Sequence, residues 1–178
     1  MAASLAFSHF GFFVTDMPKM EDFYTRFMGF TVTDRGVLFD NHLVFLSRDP
    51  HEHHQLVLVT GRPADMAYNV VHQISFLVDS LTELKDMHDR LKGEQVSEIA
   101  PVSHGNALSV YFRDPEGNRI ELYIHTPWYV TQPIRVPMDM TLAEGEIWEW
   151  AEELARKLPG YLPAAQREAE MARRMGRA

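Results

Sequence analysis

An internal repeat constrains this chain more than any other feature. Leu46-Ser47-Arg48-Asp49-Pro50 runs on into His53-His54-Gln55-Leu56-Val57-Leu58, and Tyr111-Phe112-Arg113-Asp114-Pro115 runs on into Asn118-Arg119-Ile120-Glu121-Leu122-Tyr123. Setting one Arg-Asp-Pro on the other fixes an offset of 65 residues (113 − 48). A neighbouring offset of 63 (72 − 9) lays His9 on His72, each at the head of an apolar run, and Asp16 on Asp79. Two copies of one module are therefore expected, packed as a single domain over 1–178. Module 1 covers about 5–62, module 2 about 68–126, and residues 127–178 form an extension. Side chains able to bind a metal stand at three of the four corresponding positions: His9, His72 and Glu121. The fourth, 65 residues before Glu121, is Leu56.

Within each copy the pattern reads β-α-β-β-β. Aromatic and β-branched residues make 5–15 a strand. Asp16 is a fair N-cap and Pro18 suits a first turn. Met20, Phe23, Tyr24 and Phe27 then recur at the i, i+3, i+4, i+7 spacing of one buried helical face, and Gly29 ends the helix. Strands near 30–35, 37–47 and 55–60 complete the first copy. The second has a strand at 70–78, a helix at 80–91 opened by Ser80 and Glu83, and strands near 96–102, 107–113 and 119–125. Asp114-Pro115-Glu116-Gly117-Asn118 supplies the turn between the last two. The fold class is α+β. Beyond it, 141–157 reads as an amphipathic helix and 163–175 as a charged helical tail suited to solvent or to a subunit contact.

A net charge of −8 removes the basic face that nucleic acid or an anionic membrane requires. No apolar run is long enough to span a bilayer, so a cytoplasmic protein is expected. With no cysteine, any metal must take nitrogen and oxygen donors. Two histidines and one carboxylate, each expected on a different strand, are what an octahedral ion needs if half of its coordination sphere is to stay open. Neutral imidazoles and one carboxylate leave a divalent ion with net positive charge, which favours an anionic chelating ligand.

The chain resembles the vicinal oxygen chelate superfamily, and within it the one-domain type I extradiol dioxygenases. The resemblance rests on the run from Tyr111 to Tyr123, on His53-His54-Gln55-Leu56, and on Thr126-Pro127-Trp128-Tyr129-Val130. It implies two modules around a metal-binding sheet cup, with His9, His72 and Glu121 holding Fe(II), or Mn(II) in its place. It further implies a catechol-type aromatic and dioxygen as co-substrates, with the ring opened beside the hydroxyls. His54 would serve as acid and base, Tyr111 would reach a substrate oxygen, and His104 would bond dioxygen. A homo-oligomer is expected, for which the charged tail would suit a subunit contact. Two other readings explain some of the same residues: a metal-dependent isomerase, lyase or resistance protein of this superfamily, and a ligand-binding module without catalysis. His54 is expected on the face of Leu56, two residues away on one strand. Pro127-Trp128-Tyr129 and the 141–157 helix are expected to cover the mouth of the site, or else to cap the core.

Overall fold

A computed structural model describes residues 6–63, 65, 66 and 68–176. The chain divides into two compact units, Met1–Val70 and Val71–Ala178, so that each unit holds one copy of the repeat.

The first unit has β1 (Phe10–Val14), α1 (Met17–Asp22), β2 (Thr31–Leu38), β3 (Asn41–Ser47) and β4 (Leu56–Thr60). The Asp16 carboxylate accepts from the Lys19 amide at 3.1 Å and opens α1. After Asp22 the helix widens into a π-helical segment, Phe23–Phe27, in which the Met28 amide reaches back to the Phe23 carbonyl at 3.1 Å. Gly29 leaves it at φ +74°, a left-handed conformation suited to glycine. The helical face read from the sequence is the core: Met20, Phe23, Tyr24 and Phe27 are all buried. They meet a sheet ordered β1-β4-β3-β2, with β1 parallel to β4 and the other pairs antiparallel.

The second unit repeats that order. It contains β5 (Ile74–Leu77), α2 (Leu81–Leu91), β6 (Ser97–Ser103), β7 (Ala107–Arg113) and β8 (Arg119–His125). The extension adds β9 (Trp128–Tyr129), β10 (Val136–Pro137), α3 (Glu144–Arg156), β11 (Leu162–Pro163) and α4 (Ala164–Arg174). Ser80 caps α2 through the Glu83 amide at 3.2 Å, as its capping-box spacing predicts. The sheet runs β10-β6-β7-β8-β5, again with first and last strands of the repeat parallel. Leu108, Val110, Phe112, Ile120, Leu122 and Ile124 are buried on the face against which α2 packs. Alternation then sends Ser109, Tyr111, Glu121 and Tyr123 to the opposite face.

Pairing register corrects the alignment by Arg-Asp-Pro. Phe10 pairs with Leu56 in the first unit and Ile74 with Ile120 in the second, an offset of 64 on both strands (74 − 10, 120 − 56). The helix caps Asp16 and Ser80 also lie 64 apart (80 − 16). Fully buried Met20 and Leu84 share that spacing (84 − 20). Leu46 pairs with Leu56 and Phe112 with Ile120, so the β3–β4 connection is two residues longer than its counterpart (56 − 46 against 120 − 112). Leu56, 2% exposed, lies on the helix-covered face and matches Ile120. Val57 is the counterpart of Glu121. The position expected to be a vacant ligand slot is therefore an ordinary core leucine.

Candidate metal and proton-transfer site

In the first unit, His9 precedes β1 by one residue and His54 precedes β4 by two; neither lies within a strand. Their rings are 4.3 Å apart. His54 also packs on Phe45 at 5.2 Å, and Phe45 pairs with Val57 rather than with Leu56. His54 is thus on the face opposite Leu56, contrary to the alternation argument, because the chain leaves the strand before reaching it. Its Nδ1 lies 2.8 Å from the His53 Nδ1, and His53 Nε2 stands 3.8 Å from an Asp34 carboxylate oxygen. One nitrogen of the close pair must carry the proton and the other accept it. Desolvation, followed by the neighbouring His9 and His53, holds the His54 imidazole below its ordinary range, so it is neutral at pH 7.

In the second unit the centre is Glu121, 7% exposed. Its Oε2 accepts from the Ser75 hydroxyl at 2.6 Å and the Gln73 amide at 2.9 Å, and its Oε1 accepts from the Ser109 hydroxyl at 2.8 Å. Strand alternation delivers these groups: Gln73 and Ser75 share a side of β5, and Ser109 lies across the hairpin. Among the described residues no lysine or arginine pairs with this carboxylate; the His104 Nε2 stands 3.7 Å away. A buried carboxylate surrounded by hydroxyls and an amide, with its charge not offset by a cationic side chain, suits a bound cation.

Tyr111 pairs with Glu121 across the β7–β8 hairpin. Burial, then hydrogen bonding to Glu121, pushes its phenol up to about 12, so the proton stays on. Its hydroxyl is 3.0 Å from the His104 Nε2, while the His104 Nδ1 meets the Ile134 carbonyl at 2.5 Å. A carbonyl only accepts, so Nδ1 carries a proton, and Nε2 is left to face the Tyr111 hydroxyl. The guanidinium carbons of Arg119 and Arg135 lie 4.4 and 5.7 Å from the Tyr111 ring centre.

His72 lies two residues ahead of β5, exposed, with Nε2 at 3.2 Å from the Arg119 guanidinium rather than beside Glu121. Among the described residues no three His, Asp or Glu side chains gather closely enough to hold a metal ion. Sequence reasoning thus found His54 with His9, and Tyr111 and His104 with Glu121, but missed Gln73, Ser75 and Ser109. The signal for the first two was present: Ile74 and Phe76 alternate with them and claim the apolar face.

Trp128 does not line an open mouth. It is buried, stacks edge-on against Trp148 at 6.2 Å, and donates its indole N–H to the Gly105 carbonyl at 2.5 Å. Gly105 sits at φ +76°, where an added Cβ would strike Val130. The extension therefore braces the turn that carries His104. Among the described residues no helix is long and apolar enough to cross a membrane.

Comparison with known proteins agrees with this layout. Residues 6–122 match the model of the glyoxalase/bleomycin resistance protein/dioxygenase superfamily. Biphenyl-2,3-diol 1,2-dioxygenase 2 of Rhodococcus globerulus is 28% identical over 160 residues, covering 80% of this chain and 81% of that protein. Biphenyl-2,3-diol 1,2-dioxygenase 3 of the same organism is 29% identical over 130 residues, covering 70% of this chain and 65% of that protein. Among solved structures, a domain from Frankia sp. EAN1pec superposes with a TM-score of 0.60 at 19% identity, over 70% of this chain and all of that one. The fosfomycin resistance protein FosX from Listeria monocytogenes does so at 0.53 and 22%, over 71% and 95%. At these identities the two structures speak to fold.

Proposed function

The chain belongs to the glyoxalase/bleomycin resistance protein/dioxygenase superfamily, and we propose that it is a metal-dependent dioxygenase that opens the ring of an aromatic diol. The observation that carries the reading is Glu121, a buried carboxylate furnished with neutral donors and set beside a protonated phenol. The names of the two curated relatives support the substrate class. The donors proposed in the second unit for Fe(II), or for Mn(II), are Glu121 and a side chain of the segment ahead of β5, where the sequence nominates His72. When bound, the metal supplies the electron path between diol and dioxygen, both atoms of which end in the opened product.

The protein's own groups then manage protons and orientation. Neutral His54 accepts a proton from a diol hydroxyl and holds it for return to the product side. Its Nδ1 is engaged by His53, which leaves Nε2 to face the substrate. The Tyr111 hydroxyl, set between His104 and Glu121, keeps a lone pair for a substrate O–H; turned toward the substrate, it donates to a substrate oxygen. Arg119 stacked on its ring holds the phenol in place and contributes positive charge near an ionised diol.

The test is oxygen uptake by metal-reconstituted protein on biphenyl-2,3-diol and on catechol, with absorbance of the ring-opened product followed in parallel. Stoichiometric uptake with product formation is expected on at least one diol. No uptake with either ion on either diol would sink the reading.

A further inference from the structure

We infer that the metal donor contributed by the segment ahead of β5 is the carboxamide oxygen of Gln73 and not His72, so that this donor is an oxygen and not an imidazole. The inference rests on the proposed metal site and makes its donor set specific. Three independent markers place the counterpart of His9 at residue 73. The strand pairings Phe10–Leu56 and Ile74–Ile120 share an offset of 64 (74 − 10), the caps Asp16 and Ser80 share it (80 − 16), and the buried helical residues Met20 and Leu84 share it (84 − 20). Applied to His9, that offset gives 73.

Side-chain placement agrees. Gln73 is on the side of β5 that faces Glu121, with its amide 2.9 Å from Oε2 and its nitrogen 3.1 Å from the Ser75 hydroxyl. His72, one residue earlier, is turned to the Arg119 guanidinium. Both residues lie ahead of β5, and their contacts set them on different sides. Bringing His72 to Glu121 would displace Gln73, and a one-residue slip of β5 would send Ile74 and Phe76 out of the core side. An amide side chain offers either end by rotation about its last torsion, so the group that now donates to Glu121 can offer its oxygen to a cation beside that carboxylate.

Replacing an imidazole by a carbonyl oxygen keeps the site's charge but changes its preference. Imidazole suits iron, zinc and nickel, whereas carboxylate and carbonyl oxygens suit manganese and magnesium. The chain's site should therefore hold Mn(II) in preference to what a two-histidine site would select.

Mn(II) alone is the probe, titrated into metal-free full-length protein and followed by electron paramagnetic resonance, with electron spin echo modulation used to count coordinated imidazole nitrogens. The imidazole modulation of wild-type protein should be unchanged in H72A. Q73A should weaken Mn(II) by at least about tenfold, the lower range for disturbing a metal site's immediate environment, while H72A stays within about threefold. Q73H should show one imidazole more than wild type and tighten Zn(II) relative to Mn(II); this gain keeps the test decisive if Q73A folds poorly. An imidazole lost from the wild-type count in H72A, or loss of Mn(II) in H72A with Q73A unaffected, would overturn the inference, as would wild-type protein that takes up no Mn(II). Gln73-dependent binding without oxygen uptake on any diol would leave the donor assignment standing and remove the dioxygenase reading.

Discussion

The buried Glu121 carboxylate makes opposite demands on the protein with and without metal, and Glu121→Gln separates them. In the metal-free state the carboxylate accepts from Ser75, Gln73 and Ser109 with no cationic side chain paired to it among the described residues. Exchanging three hydrogen bonds to a charged acceptor, at about 1.5–3 kcal/mol each, for neutral ones at about 0.5–1.5 kcal/mol loses roughly 3 kcal/mol. Removing an unpaired buried charge returns an effective desolvation cost of several kcal/mol, which is of the same size. The variant's metal-free stability should therefore fall within about 1 kcal/mol of wild type. Metal changes the comparison. At a hundredfold excess over Kd, a ligand that binds only the folded state adds about 2.7 kcal/mol, which for a chain of this size raises Tm by roughly 5–10 °C. The assay is thermal unfolding by circular dichroism, in chelator and again in Mn(II). Wild type should gain the shift and Glu121→Gln should not, with the two nearly superposed in chelator. A variant that is several kcal/mol weaker in chelator, or that still responds to Mn(II), refutes the reasoning, because the carboxylate would then be a structural anchor or no ligand.

Other groups give sharper, smaller tests. His54→Gln should retain metal and bind the diol while turnover falls by roughly 10²–10⁴-fold, the usual range for a positioned proton-transfer group; unaltered turnover in steady-state oxygen uptake, with the loss at His53 instead, assigns the role to the wrong member of the pair. His88 on α2 is held below its ordinary range by burial first and Lys92 next, so the unfolded chain binds more protons and stability should fall as pH drops through 6.5; His88→Gln should flatten that slope in urea melts between pH 5 and 7.5. Trp128→Ala should cost about 3–5 kcal/mol in the same melts, since a buried indole and its bond to Gly105 are lost, and should affect bulky and small diols alike. A selective rise in KM for bulky diols would return Trp128 to the substrate pocket.

Much of the fold was legible because its signals are local. The period of Met20, Phe23, Tyr24 and Phe27 marks a buried helical face whatever it packs against, and all four are buried. Asp16 and Ser80 cap helices through their own neighbours three residues on. The Asp114 turn forms as its composition predicts, with the carboxylate accepting from the amides of Glu116 and Asn118 at 3.0 and 2.9 Å. The two-residue strands and the π-helical widening carried no such local signal. The first depend on partners far along the chain, and the second on one lengthened hydrogen bond.

The site was less legible, for a reason of parity. Arg-Asp-Pro reports turn chemistry: Asp49 bonds the His51 amide as Asp114 bonds that of Glu116. Turns of like composition close connections of unlike length, and here the lengths differ by two residues. An offset taken from a turn therefore carries no information on which face a strand residue occupies, and with a period of two an error of one residue reverses every assignment. That error made Leu56 an empty ligand slot. The apolar residues hold the parity instead, because burial makes their face costly to change: Met20 and Leu84, Phe27 and Leu91, and the paired Leu56 and Ile120 all repeat at 64. In a repeat built of strands, core positions should fix the alignment first. The polar residues that fall on the other face then form the candidate site, whether or not their side chains are ones usually associated with metals.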